Sequence, residues 1–244
     1  MKRIFTLSAV CLGFLAATIA LAAAGGGGGG RGRGGGAAAA AGPRGPAPTL
    51  TAPATLTTTP DEDGFIRRWI LLEPIPAQGV AENSFRAVVK KQYFTDQLTV
   101  IPHDGDKVTV DGAELTWHAC DTSRYNVNLY HFSYALNKPT SGVFWWAVTV
   151  VHAREEIKDV RLAVGSNDAS IWWLNGEELI GLFNNRMDTI DDGVSKKVTL
   201  KKGVNILRAA ICNEMGPTDF CARFLDTDEK PLKNITVSLS DAAN

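Results

Sequence analysis

The pattern that most limits the fold of this chain is a series of short alternating segments over residues 163–226. Apolar and polar side chains alternate there at a period of two, and turn sequences such as Asn175-Gly176 and Lys202-Gly203 interrupt them. A period of two is typical of β-strands with one buried face. Asn-Gly accepts positive φ in a two-residue hairpin loop. This region therefore predicts antiparallel hairpins.

The same pattern extends over residues 61–239. Many short strands separated by turns indicate an all-β fold, an antiparallel β-sandwich of the jelly-roll type. One short helix is predicted over residues 84–94, with Asn83 or Ser84 as its cap and Phe85, Val88, Val89 and Gln92 along one side. The predicted strands cover residues 67–72, 107–110, 114–118, 143–151, 159–164, 170–174, 178–182, 196–200, 204–212, 220–226 and 235–239.

The N-terminus has the composition of an export signal. Met1-Lys2-Arg3 precedes an apolar run over residues 4–22, and small residues follow at Ala23 and Ala24. A charged start, an apolar middle and small residues at a cleavage position predict a signal peptide over residues 1–24. A membrane anchor is the competing interpretation, since the apolar run is near the ~20 residues of a spanning helix. The polyglycine that follows is a poor stop-transfer flank, so we expect an exported protein, periplasmic or extracellular, with no span after cleavage.

Residues 25–59 are rich in Gly and Ala and then in Pro and Thr, with few large apolar side chains. Such a segment cannot bury enough surface to offset its ordering entropy, and it is predicted to be a disordered linker. The β-sandwich is then assigned to residues 60–244. Five of the 25 basic residues precede residue 60, which leaves 20 against 26 acidic ones. This balance disfavours nucleic acid as a partner.

Several motifs together resemble a known family. They are Trp69-Ile70-Leu71-Leu72, GDKVTVDGAELTWH, VGSNDASIWWLNGEEL, Arg186 ahead of Asp191-Asp192, VTLKKGVNILRAAI and RFLDTDEKPL. Their order is similar to the galactose-binding-like jelly roll that accompanies bacterial secreted glycoside hydrolases and carbohydrate esterases. The resemblance covers most of residues 60–239. It implies a non-catalytic, carbohydrate-binding-type accessory domain.

The tryptophans are the first candidate ligand contacts. Trp172 and Trp173 are adjacent in a predicted strand and must therefore point to opposite faces. Leu174 shares the side of Trp172, so Trp172 is predicted to be in the core and Trp173 on the other surface, where it can stack on a sugar ring. Trp145 and Trp146 must split in the same way. The alternative is that all four rings pack inside the protein, and Trp69 and Trp117 are expected in the core.

Polar residues near this strand form a second candidate set. Amides, carboxylates and one guanidinium beside a ring would suit pairs of sugar hydroxyls. The same oxygens suit a structural calcium ion, although their spacing matches no EF-hand loop. The remaining alternative is that they cap loops and bond within turns. The predicted ligand-binding residues are Trp173, Asn167, Asp168, Asn175, Arg186 and Asp192, with Asn184, Asn185, Asp188 and Asp191 nearby.

The histidines and cysteines give no pattern of an enzyme. The four histidines lack HxH or HExxH spacing, and no GxSxG motif occurs. Catalysis and cofactors are therefore not expected. Cys212 and Cys221 flank a turn, and opposed strand ends in an oxidising compartment predict a disulfide between them. Cys120 would remain free.

The sequence thus predicts an exported, non-catalytic module that binds a glycan or a cell-envelope polysaccharide. A second hypothesis is a structural β-sandwich that docks on an envelope protein or enzyme. A hydrolase with an unrecognised His/Asp arrangement is the weakest of the three.

Overall fold

The computed structural model describes residues 50–241, and this range folds into two antiparallel sheets with two helices. The helices are α1 (Glu82–Lys90) and α2 (Leu129–Ala135). The strands are β1 (Leu50–Thr51), β2 (Thr57–Thr58), β3 (Arg68–Leu72), β4 (Ile75–Pro76), β5 (Lys107–Val110), β6 (Ala113–Thr122), β7 (Val127–Asn128), β8 (Val143–Ala153), β9 (Ile157–Ser166), β10 (Ser170–Leu174), β11 (Glu177–Leu182), β12 (Gly193–Val194), β13 (Val198–Leu200), β14 (Gly203–Asn213), β15 (Asp219–Leu225) and β16 (Ile235–Ser238).

The larger sheet has the strand order β1-β6-β3-β8-β14-β10-β11, and β2, β4, β5 and β16 join it at its sides. The smaller sheet has the order β12-β9-β15-β7, with β13 beside β9. The two long strands β8 and β14 pair over eleven residues from Val143 opposite Asn213 to Ala153 opposite Gly203. The all-β, antiparallel sandwich predicted from the sequence is confirmed.

Both faces of the larger sheet are buried. Its inner face, which carries Trp69, Trp145 and Trp172, packs with Phe220 and Phe224 of the smaller sheet. Its outer face carries Trp146 and Trp173, which pack with residues of α1 and of the segment that follows it. Strand alternation sends adjacent tryptophans to opposite faces, and a layer of protein covers each face.

Helix α1 belongs to the layer over the outer face. It buries Phe85 and Val89, one turn apart, against the sheet. It ends at Lys90, earlier than the predicted residue 94, because Lys91 is extended and the amide of Gln97 donates to the carbonyls of Val89 and Lys91 at 3.2 and 3.0 Å. Helix α2 was not predicted.

The N-terminal boundary of the sandwich differs from the sequence-based one. Leu50–Thr51 pairs with β6 and Thr57–Thr58 pairs with β16, so these two segments of the predicted linker belong to the sheet. The guanidinium of Arg68, fully buried, donates to the carbonyl of Thr55 at 2.8 Å and to both carboxylate oxygens of Asp121. Arg68 thus ties Thr55, between β1 and β2, to β3, and Asp121 orients its guanidinium. The predicted signal peptide and the remainder of the linker lie outside the described residues.

Candidate functional site: a polar groove at the loop end

The register of the long strands gathers several loops at one end of the sandwich. Ser170 lies opposite both Leu182 and Ile211, Asn213 lies opposite Val143, and Phe220 lies opposite Ser166. The chain therefore leaves or enters the sheets at the same level in each of these strands. We call this the loop end, and it consists of residues 137–142, 167–169, 183–192 and 214–218.

Hydrogen bonds between these loops bring three of the predicted site residues together. The backbone N–H of Asp168 donates to the carbonyl of Arg186 at 3.2 Å. The backbone N–H of Glu214 donates to Oδ2 of Asp168 at 2.9 Å, and that of Asp219 donates to Oδ1 of Asn167 at 3.0 Å. The convergence of Asn167, Asp168 and Arg186 is thus present, and each amide or carboxylate oxygen named here serves a loop.

Asp168 is only 8 % exposed, and it has a positive φ of 47°. Burial raises the pKa of its carboxyl, although the hydrogen bond from Glu214 acts in the opposite direction. Arg186 lies against Asp192, with its Nε 3.0 Å from Oδ2, and its Nη1 donates to the carbonyl of Phe183 at 3.2 Å. Asp168, Arg186 and Asp192 therefore act first as loop supports, which was the alternative left open by the sequence.

The assignment of Trp173 to an open surface is wrong. Its side chain is 8 % exposed and belongs to the buried cluster on the outer face. Its ring centroid lies 5.7 Å from that of Trp146 with an interplanar angle of 42°. Strand alternation did place it opposite Trp172, but α1 and the segment after it cover that face.

Asn175 lies away from the other predicted site residues. It forms the β10–β11 turn with a φ of 51°, at the opposite end of the sandwich. Its amide donates to Oδ1 of Asn205 at 3.0 Å and accepts from the backbone N–H of Ile206 at 2.9 Å. Asn175 is a turn residue and does not join the loop end.

An open groove of about 440 Å³ lies at the loop end, between the start of α1 and the loops after β11 and β14. Asn184 is fixed there by its backbone N–H, which donates to the carbonyl of Val80 at 2.8 Å. Within residues 50–241, the side chains of Asn184, Asn185 and Glu214 make no hydrogen bond. Two amides and a carboxylate are thus free for an external ligand. The groove is lined by Gly79, Val80, Ala81, Ser84, Asn184, Asn185 and Glu214.

Two exposed tyrosines on α2 were missed by the sequence interpretation. Tyr130 and Tyr134, one turn apart on α2, are 36 % and 66 % exposed, and their rings are nearly parallel with an interplanar angle of 9°. The backbone N–H of Tyr130 donates to the carbonyl of Thr218, in the same loop that supplies Glu214. The i,i+4 spacing of the two tyrosines was the available signal.

Two carboxyls are held near each other on the outer face of the smaller sheet. Burial raises the pKa of Asp188. Burial also raises the pKa of Asp219 to about 6, and the charge of Asp188 adds to that effect. One oxygen of each is buried without a hydrogen-bond partner. Over residues 50–241, no group of three or more His, Cys, Asp or Glu side chains could hold a metal ion.

The predicted disulfide is also corrected. Cys212 and Cys221 are buried free thiols, as is Cys120. Cys212 lies in β14 of the larger sheet and packs in the outer-face cluster, whereas Cys221 lies in β15 of the smaller sheet. The strands that flank the turn belong to different sheets, so the turn does not oppose the two cysteines across a ladder.

Comparisons with known proteins add the following findings. No family model matches the chain, and no curated protein matches it. Among solved structures, a β-glucosidase from Kluyveromyces marxianus is 16 % identical with a TM-score of 0.33, over 68 % of this chain and 15 % of the glucosidase. The GH31 α-xylosidase of Xanthomonas citri is 10 % identical with a TM-score of 0.30, over 75 % of this chain and 18 % of the xylosidase.

The PA14 domain of the antifreeze protein MpAFP is 12 % identical with a TM-score of 0.42, over 77 % of this chain and 98 % of the domain. The chain thus spans less than a fifth of the two enzymes and nearly all of the PA14 domain. Because these TM-scores lie below 0.5, the likenesses carry no inference about activity. Within the described range, neither helix has the length and apolar character needed to cross a membrane.

Proposed function

We propose that this protein is an exported, non-catalytic carbohydrate-binding module, and that the groove at the loop end is its glycan site. The observation that supports this most is the set of unbonded polar side chains in that groove. Asn184, Asn185 and Glu214 offer both donors and acceptors, which is what vicinal hydroxyl groups require. The galactose-binding-like relationship and the jelly-roll topology belong to the same proposal.

Rigid support at the groove favours binding. Asn184 is fixed by the backbone of Val80, and Glu214 by Asp168. Loops held in this way lose little backbone freedom when a ligand binds, which lowers the cost of association. A groove open to solvent along its length also suits a polymer better than a small closed ligand.

The tyrosine pair on α2 provides the apolar part of the proposed site. Tyr134 is exposed over two thirds of its surface, and an aromatic ring presents a flat apolar face with a polar tip. The pair takes the stacking role that the sequence had assigned to Trp173. The loop that carries Glu214 also bonds to the first turn of α2, so the rings and the groove share one support.

The experiment is affinity electrophoresis or calorimetry of the full chain against a panel of neutral polysaccharides. Asn185→Ala removes the amide, and Glu214→Gln replaces one acceptor oxygen with a donor and removes the charge. Each should weaken binding by roughly tenfold, the effect of losing a hydrogen bond worth about 1 kcal/mol or more. Glu155→Gln is the matched control, because Glu155 is exposed in the β8–β9 turn at the opposite end. Equal binding by Glu214→Gln and Glu155→Gln would reject the groove as the site.

A protein-docking role is the second candidate, and the exposed Tyr134 together with the 78 % exposed Met215 in the neighbouring loop favours it. Aromatic residues and Met are enriched in the cores of protein interfaces. Co-purification of one stoichiometric protein, lost in Tyr134→Ala, without retention of any polysaccharide would support docking over glycan binding.

A further inference from the structure

A second pocket lies at the opposite end of the sandwich, beside the Asn175-Gly176 turn. Its volume is about 220 Å³, below the roughly 300 Å³ at which pockets accept drug-sized ligands. A pocket of this size takes one small group. It is lined by Leu98, Thr99, Asn175, Gly176, Lys201, Val204, Ile206 and Arg208.

Arg208 is the unusual member of this lining. It projects from β14 opposite Trp173, on the apolar outer face of the larger sheet, and it is only 1 % exposed. Its Nη1 donates to the carbonyl of Gln97 at 3.0 Å, and its Nη2 donates to the carbonyl of Val100. Its Nε is buried without a hydrogen-bond partner. The guanidinium therefore contacts only neutral acceptors.

Three other buried or half-buried arginines have carboxylate partners. Arg68 pairs with Asp121, Arg186 pairs with Asp192, and Arg223 pairs with Asp191. No ion pair joins Arg208 to a carboxylate within residues 50–241, and no Asp or Glu lines its pocket. Burial of a charge without an opposite charge beside it is costly. It lowers the pKa of Arg208 to about 10, so the guanidinium remains charged at neutral pH.

Lys201 adds a second positive charge to the same pocket, and its side chain is exposed. Thr99 also lines the pocket, and its hydroxyl donates only a long hydrogen bond of 3.4 Å, to the carbonyl of Asp96. Two cations and one hydroxyl donor around a small space, with no acid among them, favour a negatively charged group.

From these contacts we infer that the pocket beside Arg208 binds an oxyanion, with Lys201 at its mouth and Arg208 providing the charge behind it. The group is a carboxylate, sulfate or phosphate, either as a free anion or as part of an acidic saccharide. This site is separate from the groove at the loop end and does not depend on the proposed function.

The test is a titration of the ¹⁵N-labelled full chain followed by amide chemical shifts. Sodium sulfate is the first probe, with sodium chloride at the same ionic strength as its reference, and galacturonate against galactose is the second. We expect saturable shifts at the amides of Thr99, Gly176 and Lys201 with sulfate or galacturonate, and none with chloride or galactose. Tighter binding of galacturonate identifies a saccharide acid as the source, and tighter binding of sulfate identifies a free anion.

Lys201→Ala and Lys202→Ala form a matched pair, since both lysines are exposed and only Lys201 lines the pocket. Lys201→Ala should weaken anion affinity by roughly threefold, and Lys202→Ala should leave it unchanged. Arg208→Met, if it folds, should lose the saturable shifts. The inference is overturned by absence of saturation up to about 50 mM anion, where a millimolar site would be filled, by equal effects of the two lysine variants, or by undiminished binding in folded Arg208→Met.

Discussion

Trp173→Ala tests whether the outer face of the larger sheet is a second core or an open surface. Trp173 buries more than nine tenths of its surface and packs against Trp146. A large aromatic side chain buries up to about 250 Å², which at about 25 cal/mol/Å² gives an upper bound near 6 kcal/mol. Measured Trp-to-Ala costs of about 3–5 kcal/mol place the expected loss of unfolding free energy near 4 kcal/mol.

Urea unfolding followed by far-UV circular dichroism measures this loss without relying on tryptophan fluorescence. With about 2–4 °C of melting temperature per kcal/mol in a domain of this size, the thermal midpoint should fall by about 8–16 °C. Tyr134→Ala is the matched aromatic-to-alanine control, and as an exposed substitution it should cost less than about 0.5 kcal/mol. A cost below about 1 kcal/mol for Trp173→Ala would refute the buried outer face and restore Trp173 as a candidate platform.

Cys120, Cys212 and Cys221 should resist a thiol reagent in the native protein and react in denaturant, because all three are buried and burial raises the pKa of each thiol, to about 12 for Cys120 and Cys212. An Ellman titration in denaturant in which fewer than these three thiols react would mean a disulfide. Asp121→Asn should lower the free energy of unfolding by about 2–3 kcal/mol, since it leaves Arg68 buried without its carboxylate. Amide hydrogen exchange at Leu50–Thr51 and Thr57–Thr58 should become faster. Unchanged exchange would show that other contacts hold these strands. Burial raises the pKa of Asp219 to about 6. The native state therefore binds the proton more tightly than the unfolded state, and the contribution of Asp219 to stability falls as pH rises from about 4 to 6. Asp219→Asn should flatten the plot of urea midpoint against pH over that range, and an identical plot in the variant would contradict the raised pKa.

The fold class was predictable because strand alternation and turn chemistry are local. The strands over residues 107–110 and 170–174 were predicted with the bounds that the structure has. The end of α1 was not predictable in this way, because Gln97 terminates it by reaching back to Val89. The residues around Lys90 do not by themselves predict that contact.

The positions of some candidate site residues were also predictable, because they too depend on local strand and turn signals. The hypothesis that the Asn167–Asp168 loop meets the Arg186 loop agrees with the structure, since β-strand ends set the positions of both loops. The role of these residues in ligand binding stays a prediction. The exposure of Trp173 depends on whether another segment covers its sheet face, and alternation within one strand cannot show that. The cysteine prediction was wrong because a turn between two sheets has the same local sequence signals as a hairpin within one sheet.

We propose that the loop-end groove binds a glycan through Asn185 and Glu214. This site is tested most directly by calorimetric titration of the full chain with a neutral polysaccharide from the panel that it binds, repeated with Glu214→Gln and Glu155→Gln. Binding should be roughly tenfold weaker in Glu214→Gln and unchanged in Glu155→Gln, with both variants as stable as the parent protein. Parent-like affinity in Glu214→Gln, or no heat with any neutral polysaccharide, would contradict it.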